Sequence, residues 1–363
     1  MDRKTLLFYI NAIHEGGAER VILRLAYHFS QVGYRSIVVT SFVDDNEYPV
    51  PEGVERISIE REEIKQSKLK RNISRIIALR KICKSVRAEA IISFMCEPNF
   101  RSICATVWLP IKRIVSVRND PKVEYSGKVG HFVGKYMLPW ADGCVFQTGE
   151  AQAWFPKRLQ NKSKVIFNEV DKVFFAAEYV GGNDIVTLGR LNKQKNQLML
   201  IRAFARIADE FSNKHLCIYG IGDQKELLQN EISRLQMEHA IKLMGMTTNS
   251  AGILAHAGLF VLSSDYEGMP NALMEALAVG VPCISTDCPC GGPRTLIQDG
   301  VNGLLVPVND EEALSEALKT ILSDDKYARA LGEKAKTMAE SFAPDAVFQE
   351  WKNYVEKVIK HGH

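Results

Sequence analysis

Short apolar runs rich in β-branched residues recur along the chain, and most are continuous rather than alternating with polar residues. Such runs are typical of parallel strands that are buried on both faces of a sheet. Because helical patterns lie between the runs, the sequence predicts an α/β fold built from doubly wound parallel sheets. The predicted strands are residues 5–10, 36–40, 90–94, 113–117, 143–146, 164–167, 184–188, 215–219, 241–244, 259–262, 282–285 and 303–306.

The domain organisation follows from the chain length and from one weak point in the pattern. A length of 363 residues is typical of two domains. The stretch 176–183 contains paired glycines between two series of strands, so we interpret it as the linker. The first domain is predicted to span 1–176 and the second 177–343. Apolar residues at four-residue intervals predict a final helix over about 344–360.

The composition, 46% hydrophobic and 25% charged, is that of a globular protein and excludes a disordered or fibrous chain. No apolar run reaches the roughly 18 residues of a membrane-spanning helix. Met1 to Lys4 lead into a strand-like run rather than a signal sequence, so we expect a cytoplasmic protein. Most cysteines lie within apolar runs, which indicates buried free thiols. The isolated pair Cys288 and Cys290 lacks the spacing of a zinc site, so no metal is expected.

Charge is distributed unevenly along the chain. The first 170 residues carry 27 Lys and Arg against 18 Asp and Glu, whereas the rest carries 19 against 25. The stretch 61–87 holds ten basic and two acidic residues, with Leu69, Ile73 and Ile76 on one predicted helical face. A basic helix of this kind either contacts an anionic membrane surface or is a solvated face. It has no interleaved aromatic residues, so a nucleic-acid partner is not expected.

Two basic residues follow the first predicted strand of the second domain. Arg190 and Lys195 lie in a loop between that strand and a predicted helix. Open α/β sheets bind ligands at the carboxyl ends of their strands. Two cations at the start of a helix can neutralise a diphosphate, although a solvated loop would carry the same residue types.

A second loop of this kind carries two carboxylates. Glu267 follows a predicted strand, and Glu275 falls in the second turn of the next helix, so the two can bracket one ligand through its sugar hydroxyls. The alternative is that Glu267 caps the helix and Glu275 is a surface charge, but apolar neighbours of Glu275 argue against full exposure. Backbone amides at the helix start suit phosphate oxygens. The residues expected there are Gly268, Met269, Pro270 and Asn271.

Two glycine turns also follow predicted strands. Gly16 and Gly17 precede a helix, where close backbone approach and free amides favour a phosphate, although packing alone would explain them too. Gly220 and Gly222 follow another strand, but Lys225 stands where the dinucleotide fingerprint needs a third glycine. A nicotinamide-dependent dehydrogenase is therefore not expected.

Together these segments resemble the retaining family 4 glycosyltransferases of the GT-B fold. Glu267 and Glu275 form the E-x7-E pattern of that family. Five further segments match its signatures in the same order along the chain, namely 16–20, 165–171, 189–196, 220–223 and 291–306. The resemblance spans most of the chain.

The resemblance implies two Rossmann-like domains facing one another across a cleft, with the acceptor on the first, the nucleotide-sugar donor on the second, and the final helix packed back on the first. By the same analogy, Arg190 and Lys195 contact the donor diphosphate. Glu275 holds the ribose hydroxyls, Glu267 contacts the donor sugar, and the backbone near Met246 faces the base. The family precedent is a transfer that retains the anomeric configuration.

One position departs from the family pattern. After the predicted strand 113–117, many relatives carry a histidine near the donor sugar, whereas this chain has Arg118. An arginine stays protonated at neutral pH and cannot shuttle a proton, so we expect it to contact an acceptor or a phosphate electrostatically. The alternative is a surface arginine at a strand end.

The predicted function is therefore that of an enzyme, a retaining hexosyltransferase that needs no cofactor or metal. The donor is expected to be a UDP-linked sugar, and the acceptor a surface polysaccharide or a lipid-linked oligosaccharide. Residues 61–87 would hold the protein on the inner face of a membrane. Two alternatives stay open, a UDP-sugar epimerase of the same fold and a non-catalytic partner that activates another transferase.

Overall fold

The computed structural model describes residues 3–14, 16–60 and 67–361. The chain folds into two compact units. Unit 1 comprises Met1–Asn168 and Val347–His363, and unit 2 comprises Glu169–Ala346. The chain therefore changes unit just after the last strand of the first sheet. The stretch 176–183, which the sequence suggested as a linker, lies within unit 2, where the Val180 amide donates to the Ala255 carbonyl at 2.8 Å.

Unit 1 is built on a parallel sheet of seven strands. These are β1 (Thr5–Ile10), β2 (Arg35–Thr40), β3 (Val54–Ser58), β4 (Ala90–Phe94), β5 (Lys112–Ser116), β6 (Gly143–Phe146) and β7 (Ser163–Val165). Their order in the sheet is β3-β2-β1-β4-β5-β6-β7. The sequence pattern did not predict β3, because this edge strand carries Glu55 and Arg56 among its few apolar residues and is only partly buried.

Helices cover both faces of this sheet. They are α1 (Gly17–Gln31), α2 (Lys68–Ser85), α3 (Cys96–Ala105), α4 (Pro121–Glu124), α5 (Gly127–Phe132), α6 (Gly149–Ala153) and α7 (Lys157–Gln160). A π-helical turn, Val133–Met137, and a 3₁₀ turn, Leu138–Trp140, continue α5. The apolar side of α1 packs on one face of the sheet, and α2 and α3 pack on the other.

Unit 2 contains a six-stranded parallel sheet in the order β10-β9-β8-β11-β12-β13. The strands are β8 (Asp184–Leu188), β9 (His215–Tyr219), β10 (Ile241–Gly245), β11 (Ala257–Leu262), β12 (Cys283–Thr286) and β13 (Leu304–Val306). The helices are α8 (Lys172–Ala176), α9 (Gln197–Ala205), α10 (Lys225–Arg234), α11 (Ser250–Ala255), α12 (Asn271–Val279), α13 (Gly292–Leu296), α14 (Glu311–Ser323) and α15 (Asp325–Met338). The predicted α/β fold with two parallel sheets is confirmed.

The final helix, α16 (Pro344–His361), belongs to unit 1 from Val347 onward. Its apolar stripe joins the core formed by α1 and the sheet, and the Trp351 ring stacks on Phe94 with centroids 6.0 Å apart. The Tyr354 hydroxyl accepts from the Cys144 amide at 2.7 Å. The end of the chain therefore completes the core of the first unit.

Two properties of the described residues bear on function. No helix among them has an apolar stretch long enough to cross a membrane. In the same part of the chain, no group of three or more His, Cys, Asp or Glu side chains is arranged to hold a metal ion. The cysteines are free thiols and most are buried, as the sequence predicted.

Trp351→Ala tests how much α16 stabilises unit 1. Trp351 is 1% exposed, so we expect the truncation to lower the free energy of unfolding by about 3–5 kcal/mol. All four tryptophans lie in unit 1, so fluorescence during urea denaturation reports on that unit. Asn353→Ala, an exposed neighbour on the same helix, is the control and should change stability by less than about 0.5 kcal/mol. Equal stability of the two variants would contradict this account.

Candidate active site

The polar residues singled out in the second half of the sequence meet at the carboxyl edge of the unit 2 sheet. Lys195 lies in the loop after β8 and Glu267 in the loop after β11. These strands are separated by about 70 residues in sequence but are neighbours in the sheet. Loops that follow adjacent parallel strands lie side by side, which is the usual place for a ligand in such a sheet.

Lys195 and Glu267 form an ion pair. The Lys195 Nζ lies 2.6 Å from the Glu267 Oε1, and the side chains are 16% and 8% exposed. The Ser264 hydroxyl donates to the same oxygen at 2.7 Å. Since both donors bond to Oε1, and no other described residue bonds to Oε2, that second oxygen keeps its acceptor capacity for a ligand.

Backbone hydrogen bonds hold the Glu267 loop from both sides. The Glu267 amide donates to the Pro289 carbonyl at 2.6 Å, and the Cys290 amide donates back to the Glu267 carbonyl at 3.0 Å. On the other side, the Asp265 amide donates to the Gln194 carbonyl at 2.8 Å. The loops after β8, β11 and β12 therefore form one connected structure, and the Glu267 carboxylate has a fixed position.

Two glycines allow these loops to approach closely. A Cβ atom on Gly292 would lie 2.1 Å from the Gly268 carbonyl oxygen, and one on Gly220 would lie 1.8 Å from the Gly189 carbonyl oxygen. Both distances are shorter than any non-bonded contact allows. Glycine is therefore required at both positions by the nearby backbone of the candidate site.

The helix that follows the Glu267 loop carries the second carboxylate. Gly268, Met269 and Pro270 are buried, and Pro270 is the N-cap of α12. Glu275 lies within α12, where it is 8% exposed and is surrounded in sequence by buried apolar residues. This burial excludes a purely solvated role for Glu275.

Arg190 and Met246 occupy the same edge of the sheet but are exposed. Among the described residues, the Arg190 guanidinium has no hydrogen-bond or ion-pair partner, although its carbonyl accepts from the Gln197 side chain at 3.0 Å. Met246 follows β10 and is 61% exposed. The structure thus pairs Lys195 with Glu267 and leaves Arg190 available to solvent or a ligand.

Cys288 and Cys290 support the loop rather than forming a reactive pair. Both are buried, and burial raises the pKa of the Cys288 thiol to about 12. A protonated thiol is a weak nucleophile and a poor metal ligand. The backbone of Cys290 holds Glu267, as described above.

In the glycine turn of unit 1, where the sequence suggested a phosphate cradle, a carboxylate lies at the helix start. Gly16 is the N-cap of α1 and Gly17 is exposed. The Glu19 carboxylate lies over Gly16, with Oε2 only 2.3 Å from where a Cβ on Gly16 would be, and its Oε1 lies 3.3 Å from the His14 Nε2. Because this carboxylate already supplies negative charge at the helix start, the turn suits a second anion less than its glycines imply.

Arg118 is buried at the carboxyl edge of the unit 1 sheet, which excludes the alternative of a surface arginine. It is 8% exposed, and its guanidinium lies 4.6 Å from the centroid of the Phe94 ring. One of its nitrogens donates to Asn168 Oδ1, which also accepts from the Gln147 side chain at 2.9 Å. Desolvation lowers the pKa of Arg118 to about 9.

Glu124 lies beside Arg118 and was not identified from the sequence. Its Oε2 accepts from the Arg118 amide at 3.2 Å and from the Asn119 amide at 3.1 Å. Burial raises the pKa of Glu124 to about 7. The position of Glu124, three residues after Pro121 in a short helix, gives no sign in the sequence of this contact.

Comparison with known proteins places the chain in a family. The model of the family described as "Glycosyl transferases group 1" matches residues 171–338. The N-acetylgalactosamine-N,N'-diacetylbacillosaminyl-diphospho-undecaprenol 4-alpha-N-acetylgalactosaminyltransferase of Campylobacter jejuni is 30% identical over 72% of this chain and 75% of its own. The chain belongs to the group 1 glycosyltransferases. It is accordingly a glycosyltransferase, as the sequence predicted.

One further relative and one solved structure match nearly the whole length of this glycosyltransferase. A second Campylobacter jejuni enzyme, an alpha-1,4-N-acetyl-D-galactosaminyltransferase named for a diNAcBac-PP-undecaprenol-linked glycan, is 26% identical over 97% of this chain and 98% of its own. The structure of Anabaena HepE in complex with UDP and glucose has a TM-score of 0.82 at 17% identity, over 98% of this chain and 100% of its own. At this identity, the match to HepE supports the fold alone.

Glu124→Gln tests the buried carboxyl beside Arg118. Its pKa is raised from 4.5 to about 7, so the folded state binds a proton more tightly than the unfolded chain. This contribution to stability is complete at low pH and is lost as the pH rises from 4.5 to about 7. Glutamine stays neutral, so the variant should gain stability relative to the wild type over that range. Urea denaturation followed by tryptophan fluorescence measures this difference, and a difference that is constant with pH would contradict it.

Proposed function

We propose that this glycosyltransferase moves a hexose from a UDP-linked sugar to a glycan or lipid-linked acceptor and retains the anomeric configuration. The observation that carries the proposal is the largely buried Lys195–Glu267 pair at the carboxyl edge of the unit 2 sheet. The names of the Campylobacter relatives, with their undecaprenol-linked substrates, support the choice of acceptor. The HepE structure with UDP and glucose supports the choice of donor.

Lys195 and Arg190 are the proposed contacts to the donor diphosphate. An ammonium has three N–H donors, and the Lys195 Nζ uses one of them on Glu267. The remaining donors are available to phosphate oxygens, as is the exposed guanidinium of Arg190. Negative charge grows on the diphosphate as the sugar leaves, so cations held in place beforehand lower the barrier.

Glu267 and Glu275 are the proposed contacts to the two sugars of the donor. The free Oε2 of Glu267 can accept a hydroxyl of the transferred sugar, while Ser264 and Lys195 keep the carboxylate oriented. Glu275 would accept the ribose hydroxyls. The amides of Gly268, Met269 and Asn271, with Pro270 fixing the start of α12, would bind phosphate oxygens, and the backbone at Met246 would face the base.

In the proposed reaction, an acceptor hydroxyl attacks the anomeric carbon on the face from which the diphosphate departs. The bond from the anomeric carbon to the phosphate oxygen breaks, a bond to the acceptor oxygen forms, and the acceptor proton passes to the departing phosphate. No step requires a metal or a cofactor, because Lys195 and Arg190 offset the charge of the leaving group.

Unit 1 is the proposed acceptor domain. Arg118 would contact an acceptor or phosphate group through its charge, with Asn168 and Glu124 fixing its position. Gly16 and Gly17 remain part of the proposed donor contacts through their backbone. The Glu19 carboxylate would have to turn away from Gly16 for a phosphate to bind there.

We also propose that the basic stretch 61–87 of unit 1 contacts the cytoplasmic face of an anionic membrane. Residues 61–66 lie outside the described part of the chain, and the rest is mainly α2. The exposed face of α2 carries Leu69, Ile73 and Ile77 beside exposed lysines, whereas Ile76, expected on this face, packs partly into the core. Apolar and cationic groups on one helical face suit a lipid headgroup region.

Arg190→Ala and Lys195→Ala test the donor site. Each removes a cation from the diphosphate, so we expect transfer from a UDP-sugar to slow by about 100-fold or more. Lys193→Ala is the matched control, because Lys193 is an exposed lysine of the same loop, and it should keep near-normal activity. Unchanged transfer in both Arg190→Ala and Lys195→Ala would refute the site.

The products and the binding of UDP decide between this function and its alternatives. Release of an epimerised donor in the absence of acceptor would indicate an epimerase. Calorimetry that detects no UDP binding would indicate a non-catalytic partner. Retention is tested by assigning the anomeric configuration of the product by NMR.

Lys70, Lys81 and Lys84 test the contact of α2 with a membrane. Replacing all three with glutamine should weaken binding to vesicles that contain phosphatidylglycerol by about fivefold per lysine. Added salt should release the wild type. Glutamine at Lys326, Lys334 and Lys336, exposed lysines of unit 2, is the control. Equal binding of the two triple variants would contradict the contact.

A further inference from the structure

The outer face of the segment 121–140 in unit 1 is unusually apolar and aromatic. Val129, Phe132, Tyr136 and Trp140 are 78%, 53%, 53% and 59% exposed. They recur at three- and four-residue spacing along the continuous path of α5, the π-helical turn and the 3₁₀ turn. We call these four residues the aromatic stripe.

The stripe is exposed because its helix is already anchored by other residues. Val133 and Leu138, on the opposite side, are 5% and 0% exposed. The Lys162 ammonium donates to the Pro139 carbonyl at 2.7 Å and also bonds to the Ala141 carbonyl, so it fixes the backbone on both sides of Trp140. The stripe is therefore the exposed face of a segment whose other side is packed against unit 1.

The exposed charges within 121–140 have one sign. Lys122, Lys128 and Lys135 are exposed, and the Lys135 Nζ lies 5.4 Å from the centroid of the Tyr136 ring. Glu124 is the one acidic residue in 121–140, a stretch that the structure describes in full, and its carboxylate bonds to the backbone of Arg118. The segment 121–140 thus offers cations and aromatic rings and has no exposed carboxylate of its own to repel an anion.

The stripe lies on the same side of the sheet as α2. α3 packs against α2 and also against the π-helical turn and the 3₁₀ turn. The opposite face of the sheet is covered by α1 and α16. Both α2 and the stripe therefore belong to the layer of helices on one face of unit 1.

We propose that the aromatic stripe is a second membrane-docking element, which inserts its rings into the headgroup region of an anionic bilayer while its lysines contact lipid phosphates. Trp and Tyr favour this region because one part of each ring is apolar and another forms hydrogen bonds. Charge complementarity selects an anionic lipid surface as the occupant. This inference deepens the membrane contact proposed for α2 and rests on it.

The test uses the full chain and vesicles of phosphatidylcholine with or without phosphatidylglycerol. Replacing Phe132, Tyr136 and Trp140 with serine should lower the partition coefficient for the anionic vesicles by about tenfold or more, because interfacial binding scales with buried apolar area. The control, serine at Tyr27 and Val32, removes exposed apolar residues from α1 and from the position that directly follows it, on the opposite face of the sheet, and should bind normally. Urea denaturation of each variant verifies its fold.

Insertion is measured directly by fluorescence quenching with brominated lipids. The wild type should be quenched, Trp140→Phe should lose most of the quenching, and Trp351→Phe, which alters a buried ring, should keep it. The α2 triple variant should bind less but retain the same quenching for each bound molecule. Full quenching in Trp140→Phe, or normal binding of the serine variant, would overturn the proposal. A change of oligomeric state in the serine variant, with normal vesicle binding, would assign the stripe to a second copy of the chain and overturn it as well.

A separate assay distinguishes failure of the proposed membrane contact from failure of the proposed glycosyltransfer. Transfer to a short, water-soluble acceptor tests the chemistry of unit 2 without lipid. If that transfer proceeds but the wild type does not bind anionic vesicles, then the proposed membrane contact is wrong and the glycosyltransfer assignment stands. The aromatic-stripe variants should show normal transfer in the same assay.

Discussion

A parallel sheet that is covered on both faces leaves little room for charge in the buried middle of its strands, and this constraint determines where the chemistry of the molecule lies. Buried strands consist of apolar residues, so charged side chains belong to the loops at their ends. Because all strands of a sheet point the same way, the loops at one edge meet. In unit 2, the adjacency of β8 and β11 brings Lys195 to Glu267, although about 70 residues separate them in sequence.

The ion pair is useful only because its surroundings hold it. Two largely buried charges lose much of their hydration, and their attraction offsets that cost better where the geometry is good and further hydrogen bonds support the pair. Ser264 supplies a second donor to the Glu267 carboxylate, and the loop after β12 fixes its backbone. Removal of one partner from a buried pair typically costs about 3–5 kcal/mol. The same contacts keep the carboxylate in position before any ligand arrives, which is the condition for electrostatic catalysis.

From the sequence, the strands and the residue types of the candidate site could be predicted more fully than the contacts between its side chains. Continuous apolar runs identified every strand except the polar edge strand β3, and spacing after strands identified Lys195 and Glu267. Contacts between distant segments left no local pattern, so the neighbours of Arg118, which are Glu124 and Asn168, emerged only from the structure. The prediction at Gly16 depended on its glycines and on the free amides of the helix start, and the direction of the Glu19 side chain became visible only in the structure.

The two units have different surfaces, and each surface suits a different part of the proposed reaction. Unit 2 holds buried, paired charges that suit a small polar donor. Unit 1 carries the excess of basic residues and exposed apolar groups on α2 and on the aromatic stripe. Each of these two surfaces alone would bind a bilayer weakly, since a few cations or a few half-exposed rings contribute little. Because α2 and the aromatic stripe are fixed in one layer of helices, the second would lose little additional freedom once the first has bound to the bilayer. Their binding free energies would therefore add. In the proposed membrane contact, a rigid layer would thus turn two weak contacts into one effective attachment.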